Sequence, residues 1–220
     1  MHASETLLEM LREWTGWFCH KLPDRSPHSG GDLFPVCFRC AGLQLGLAAA
    51  YVRLFLGGSR RGRFPAVRTV LQCGVLMLPL MIDGLGNALQ LWNSPGWLRG
   101  LTGLGVGLCL PWLLAPLAHP LEQATDRSRK PSLENLRQMF WPAVAGVAAI
   151  ALLEQGAGPW LFRGLALAAA AGWVFFLGHF VLALIRAYGD AVTRRWLSIF
   201  PRGHANRWTA RHKISSTRHL

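Results

Sequence analysis

Apolar residues fall into five long runs along this chain, at about 37–57, 66–92, 98–118, 139–156 and 160–186, none with more than two charged residues. A helix that crosses a bilayer needs about 20 mostly apolar residues, so each run predicts one spanning helix. The second and fifth are longer than a bilayer requires, which predicts tilt or extension beyond it. The fourth is the weakest, with Pro142 near its start and Glu154 near its end. Ahead of the first run, TLLEMLREWTGWF places Leu7, Leu11, Trp14 and Phe18 at helical spacing, and Thr6 with Glu9 fits a capping box. This stretch is too short to span. It predicts either an amphipathic helix in the interface, with Trp14 and Trp17 at headgroup depth, or a helix packed on the bundle.

Composition agrees with a membrane protein. Of 220 residues, 51% are hydrophobic and 15% charged, and the mean hydropathy is +0.26. Soluble domains carry about 25% charged residues. No removable signal peptide is expected, because Glu5 and Glu9 stand where a basic segment belongs and no short apolar stretch with a small-residue cleavage site follows. The fold class is therefore an all-α polytopic bundle of about five transmembrane spans with an N-terminal extracytoplasmic Cys/His segment. Its expected divisions are 1–36 for that segment, 37–186 for the bundle and 187–220 for a basic tail.

The positive charge supplies the orientation. The formal net charge is +12, and it gathers in three places. Arg60, Arg61, Arg63 and Arg68 follow the first run; Arg127, Arg129, Lys130 and Arg137 follow the third. Arg186, Arg194, Arg195, Arg202, Arg207, Arg211, Lys213 and Arg218 follow the fifth. The loops WNSPGW and EQGAGP contain no Lys or Arg. Basic segments stay on the cytoplasmic side, so the C-terminus is expected in the cytoplasm and the N-terminus outside. Charge placed where topology demands it, with no recognition fold, argues against a nucleic acid partner. The tail, with Trp196 and Trp208 among its arginines, fits either contact with anionic lipids or a solvated end. Gly42/Gly46 and Gly103/Gly107 repeat at four-residue spacing, which lets helices approach closely. The sequence sets no oligomeric state.

Chemistry concentrates before and at the start of the first run, in WFCHKLPDRSPHSGGDLFPVCFRCAGLQLG. Cys19, His20, Cys37 and Cys40 are ligands that zinc takes in a tetrahedral shell. Adjacent residues such as Cys19 and His20 do not easily ligate one ion, which weakens a simple Cys₃His site. A Cys-x-x-Cys also forms disulfides, and the outer face of a membrane permits them. Arg39, between Cys37 and Cys40, is expected to favour a thiolate in either case. Inert packing is the third reading. Cys73 and Cys109 lie alone in apolar runs and are expected only to pack.

Asp83 is an acid inside the second run, where such groups face the bundle interior with a partner. It lies nine residues from Trp92. Asp83, Asn87, Gln90, Arg99 and Thr102 are expected to converge beneath the cysteines, either as a functional pocket or as an Asp83–Arg99 bridge that locks two helices.

Cys19-His20, then Arg25-Ser26, then PVCFRCAGLQLG, then IDGLGNALQLWNSPGWLRGLTG, resembles the domain of unknown function 2085 family of bacterial and archaeal integral membrane proteins, over about residues 17–107. The resemblance marks Cys19, His20, Arg25, Ser26, Cys37, Arg39, Cys40, Gly42, Asp83, Arg99, Thr102 and Gly103, and implies a bacterial inner-membrane location. The chain departs from the family at Leu43-Gln44, where an Ile-Tyr-like pair is expected. The family implies no activity.

Three functions fit these residues. A metal, zinc by ligand type, held by Cys19, His20, Cys37 and Cys40 would pin the N-terminal segment over the bundle, leaving Arg25 and Ser26 to contact a lipid or another subunit. A membrane enzyme acting on a lipid or phosphate headgroup would use Arg25, Arg39 and Arg99 for the anion, with His20 and Asp83 as acid–base groups. Thiol–disulfide exchange is the third. No motif of a known reaction class decides whether the chain is an enzyme.

Overall fold

The computed structural model describes residues 2–15, 17, 19, 23–57, 63–119 and 130–199. Its helices are α1 (His2–Thr15), α2 (Phe38–Leu56), α3 (Val67–Ala88), α4 (Gly96–Leu114), α5 (Phe140–Glu154) and α6 (Pro159–Ile199). A short antiparallel pair, β1 (His28–Ser29) and β2 (Asp32–Leu33), lies between α1 and α2.

Among the described residues, four segments are long and apolar enough to cross a membrane: Val67–Ala88, Gly96–Ala118, Leu136–Glu154 and Pro159–Gly189. The fifth expected span is α2, whose 19 residues reach about 28 Å. Arg39, Gln44 and Arg53 dilute its apolarity, yet with α4 it is one of the two most enclosed helices of the bundle. It packs against α4, α5 and α6, burying Gln44, Leu47, Tyr51 and Leu54 along its length. A helix surrounded by other helices does not need a lipid-compatible surface. The outer faces do: Leu71, Val75, Met81 and Leu85 of α3 all stand exposed. Trp92, Trp97 and Trp160 are exposed at one end of the bundle and Trp141 at the other, as interfacial tryptophans are.

Glycine sets the centre. A Cβ on Gly42 would run into the Gly100 carbonyl, one on Gly103 into the Arg39 carbonyl, and one on Gly107 into the Leu43 carbonyl. The Gly46 Cβ would stand 2.8 Å from the Leu104 oxygen. α2 and α4 therefore touch backbone to backbone, as the four-residue spacing predicts. Beside this seam, Tyr51, Leu54, Leu108 and Trp112 build the main core.

Three element boundaries differ from expectation. α3 stops at Ala88 rather than near Trp92, because the chain turns back at Gln90 (φ 58°). The bare Gly86 leaves room for the Trp92 ring there, and the Leu91 N–H donates to the Gly86 carbonyl at 2.9 Å. α6 runs through residue 186 to Ile199, 41 residues or about 61 Å, roughly twice the hydrocarbon thickness. The first part of the expected tail, with Arg194, Arg195 and Trp196, is thus helical; residues 200–220, including Trp208, lie outside the described residues. α1 starts at His2, so Thr6 sits inside the helix and is not its N-cap. Leu8 and Leu11 seat α1 on the bundle, while Trp14 and Trp17 remain exposed.

At the end away from α1, two of the expected basic loops are tied together. The Arg63 N–H donates to the Lys130 carbonyl at 3.1 Å, and the Ser132 N–H to the Arg63 carbonyl at 2.8 Å. Arg186 donates to the Ala118 carbonyl at the same end. Arg60, Arg61, Arg127 and Arg129 lie outside the described residues.

Candidate functional site

The N-terminal segment is laid across the bundle by a tight turn. Gly30 and Gly31 hold φ of 57° and 92°, a left-handed pair that suits a two-residue hairpin. Beyond it, Phe34 meets Phe162 of α6 edge to face, with centroids 5.2 Å apart. The Ser29 hydroxyl donates to the Ala157 carbonyl, and Arg163 approaches Asp32 at 3.4 Å. On the α1 side, the Thr15 hydroxyl donates to the Pro35 carbonyl at 3.0 Å and the Cys19 N–H to the Thr15 carbonyl at 3.2 Å. These contacts close a loop that brings Cys19 back onto the start of α2.

There Cys19, Cys37 and Cys40 meet, all three sulfurs within 4.8 Å of one another. Cys37 is the N-cap of α2 and Cys40 lies in its first turn. The Cys37 N–H donates to the Cys19 sulfur at 3.3 Å. None of the three is joined in a disulfide; Cys19 is buried and the other two are half-buried. The hydrogen bond with Cys19 holds the Cys37 thiol above its ordinary pKa, and burial adds to this. A bound cation would reverse that balance, since metal-bound thiols are deprotonated. Tetrahedral zinc with bonds of about 2.3 Å puts its sulfurs about 3.8 Å apart, so the three fit an ion with small movement. His20, the fourth expected ligand, and Phe18 lie outside the described residues.

Below the thiols, a polar network joins α2, α3 and α4, and it differs from the expected one. Asp83 pairs with Arg39, not Arg99, and also accepts hydrogen bonds from the Ser94 hydroxyl and from Asn87 at 3.0 Å. Arg99 instead donates to Asn87 at 2.9 Å and to Asn93 at 2.5 Å. Arg39 is thus engaged by the carboxylate rather than serving the thiols. Thr102 bonds its own helix, at the Arg99 carbonyl (2.9 Å). Gln90 occupies the turn after α3, exposed and outside the network. Arg25 is exposed in the turn Pro23–Arg25, and Ser26 beside it is buried. Asn93 and Ser94 were not among the expected site residues. Their signal was an Asn-Ser pair in a short loop between Asp83 and Arg99.

Cys73 and Cys109, expected to be isolated, are neighbours across α3 and α4. Both are fully buried, and the Cys109 thiol points at the Cys73 carbonyl at 3.8 Å.

The family described as "Predicted membrane protein (DUF2085)" matches residues 19–113, from the first cysteine through nearly all of α4. An uncharacterized protein of Methanothermobacter thermautotrophicus is 34% identical over 103 residues, covering 47% of this chain and 89% of that protein. No solved structure matches. The thiol cluster and the polar network both fall inside the matched segment, whereas α5 and α6 lie beyond it.

Proposed function

This chain belongs to the DUF2085 family of predicted membrane proteins, and we propose that it is a multi-pass protein holding a thiophilic metal ion, zinc by ligand type, at Cys19, Cys37 and Cys40. The observation that carries this is the convergence of three sulfurs from two separate stretches of chain to within 4.8 Å. In this reading the ion pins the N-terminal segment over the start of α2, and His20 supplies the fourth ligand or leaves that position to water. The site faces the extracytoplasmic side of the inner membrane, while the basic end of α6 and the tail rest on anionic lipid. Support for that orientation comes from the distribution of Lys and Arg. Arg39, Asp83, Asn87 and Ser94 brace the first turn of α2 against α3, and so hold two of the three ligands in place. The thiol-exchange reading uses the same three cysteines, and the alkylation test below separates it from the metal; the enzymatic reading draws instead on Arg25, Arg39, Arg99, His20 and Asp83.

Metal analysis of the purified protein tests this. Wild type should carry about one ion per chain, and Cys40→Ser should lose it, because a hydroxyl is a poor zinc ligand beside a thiolate. Chelation should expose the thiols to alkylation. His20→Ala lowers occupancy if the imidazole completes the shell. Metal-free protein overturns the proposal: alkylation only after reduction would mean a disulfide, and free alkylation would mean packing.

A further inference from the structure

Arg99 is 6% exposed, and among the described residues its guanidinium donates to two neutral amide oxygens, those of Asn87 and Asn93. It makes no ion pair with any described residue; the pairs among them are Arg39–Asp83 and Arg163–Asp32. Its Nε is buried with no hydrogen-bond partner, and so is the Nε of Arg39. Asp83 is the network's one carboxylate, and it is already engaged by Arg39, Ser94 and Asn87. Arg25, exposed on the turn above, lies within electrostatic reach of Arg99. Three guanidiniums thus share one carboxylate. The other acids nearby do not compensate: Glu154 lies against Gly96 and Asp24 is exposed beside Arg25, and neither pairs with Arg99.

Asp83 is within electrostatic reach of Arg99 as well, but one carboxylate shared among three guanidiniums leaves a buried cation only partly compensated, which is unfavourable, and the local backbone adds to the positive field. The N-termini of α2 and α4 both open here, at Cys37 and Pro95, and neither has a side-chain cap. We infer that Arg99, with Arg39 and Arg25, is the binding site for a phosphate-type oxyanion, from a lipid headgroup or from free phosphate. The planar guanidinium fork matches phosphate oxygens in pairs. Trp92 and Trp97 stand exposed in the stretch that leads into Arg99, which sets the site at the depth where lipid phosphates lie. The site uses none of the three thiols, so it stands or falls separately from the metal.

The test uses the purified full chain in maltoside micelles, read by tryptophan fluorescence. One arm titrates inorganic phosphate at constant ionic strength against chloride. The other titrates short-chain phosphatidic acid against diacylglycerol of the same chains, which lacks the phosphate. Saturable binding in at least one phosphate arm is expected: phosphate alone would indicate a soluble ligand, and phosphatidic acid alone a lipid. Arg99→Gln should weaken it at least tenfold, while Arg163→Gln, which removes an arginine at the same end, should leave it unchanged. If Arg99→Gln does not fold, the exposed Arg25→Gln decides, with an expected loss of about threefold. Absence of saturable binding in both arms overturns the inference. So does wild-type titration by the deciding variant, or an equal loss in Arg163→Gln, which would mark bulk charge rather than a site.

Discussion

Asp83→Asn, set beside Glu154→Gln, compares a buried with an exposed carboxylate at the site end of the bundle. Asp83 is 5% exposed and accepts from three donors, the Arg39 guanidinium, the Ser94 hydroxyl and the Asn87 amide. Asparagine keeps one acceptor oxygen but turns an NH₂ group toward donors, so at least one contact becomes donor against donor. Breaking a buried ion pair costs about 3–5 kcal/mol. Here the Arg39 side chain is 29% exposed and regains some water, so the lower end applies, about 3 kcal/mol. That shifts the unfolding equilibrium on the order of 100-fold. Glu154→Gln changes an exposed group with no ion pair among the described residues, and should stay within about 0.5 kcal/mol. Detergent-induced unfolding of the purified variants, followed by tryptophan fluorescence, measures both. Arg39→Gln/Asp83→Asn should be less destabilised than the sum of its single changes, since the second removes a partner already lost. Equal and small effects at Asp83 and Glu154 would refute the braced network.

The seam between α2 and α4 predicts that Gly103→Val is severely destabilising, beyond the about 1–3 kcal/mol of ordinary overpacking, because the obstacle is the Arg39 backbone rather than a mobile side chain. Gly164→Val, with nothing within 4 Å of its Cβ, should unfold like wild type in the same assay, and similar behaviour of the two would refute the close approach. For topology, reporters fused after Gly57 and after Leu220 should read cytoplasmic and one at Ser94 outside. An outward C-terminus would reverse the assignment of Cys19 to the extracytoplasmic face.

What was legible in the sequence was what depends on neighbours along the chain. Five apolar runs became five helices because a bilayer, or a bundle within it, requires consecutive apolar residues. The glycine seam was legible because Gly42/Gly46 and Gly103/Gly107 repeat once per turn. The end of α6 was not, because the tail was delimited by charge. Arginines do not stop a helix, and the first strong breaker past residue 186 other than Gly189 is Pro201. The convergence of Cys19 on Cys37 depended on the Gly30-Gly31 turn and on Phe34 finding Phe162, a contact made across more than a hundred residues.

Arg39 shows why the chemistry was harder to read than the fold. Between two cysteines in sequence, it was expected to serve the thiols. On a helix each residue turns about 100°, so Cys40 comes back to within about 60° of Cys37, whereas Arg39 stands about 200° from it. A Cys-x-Arg-Cys at a helix start therefore sends its two thiols one way and its guanidinium the other. The thiols meet the N-terminal segment, and the guanidinium meets Asp83 on α3. The close approach allowed by Gly103 holds the Arg39 backbone against α4 while its side chain reaches α3. Asp83 therefore finds its charge on α2, and Arg99, its nearer candidate along the chain, is left with amides. One turn of α2 joins the thiol cluster to the polar network, so a change that rotates this turn should disturb both.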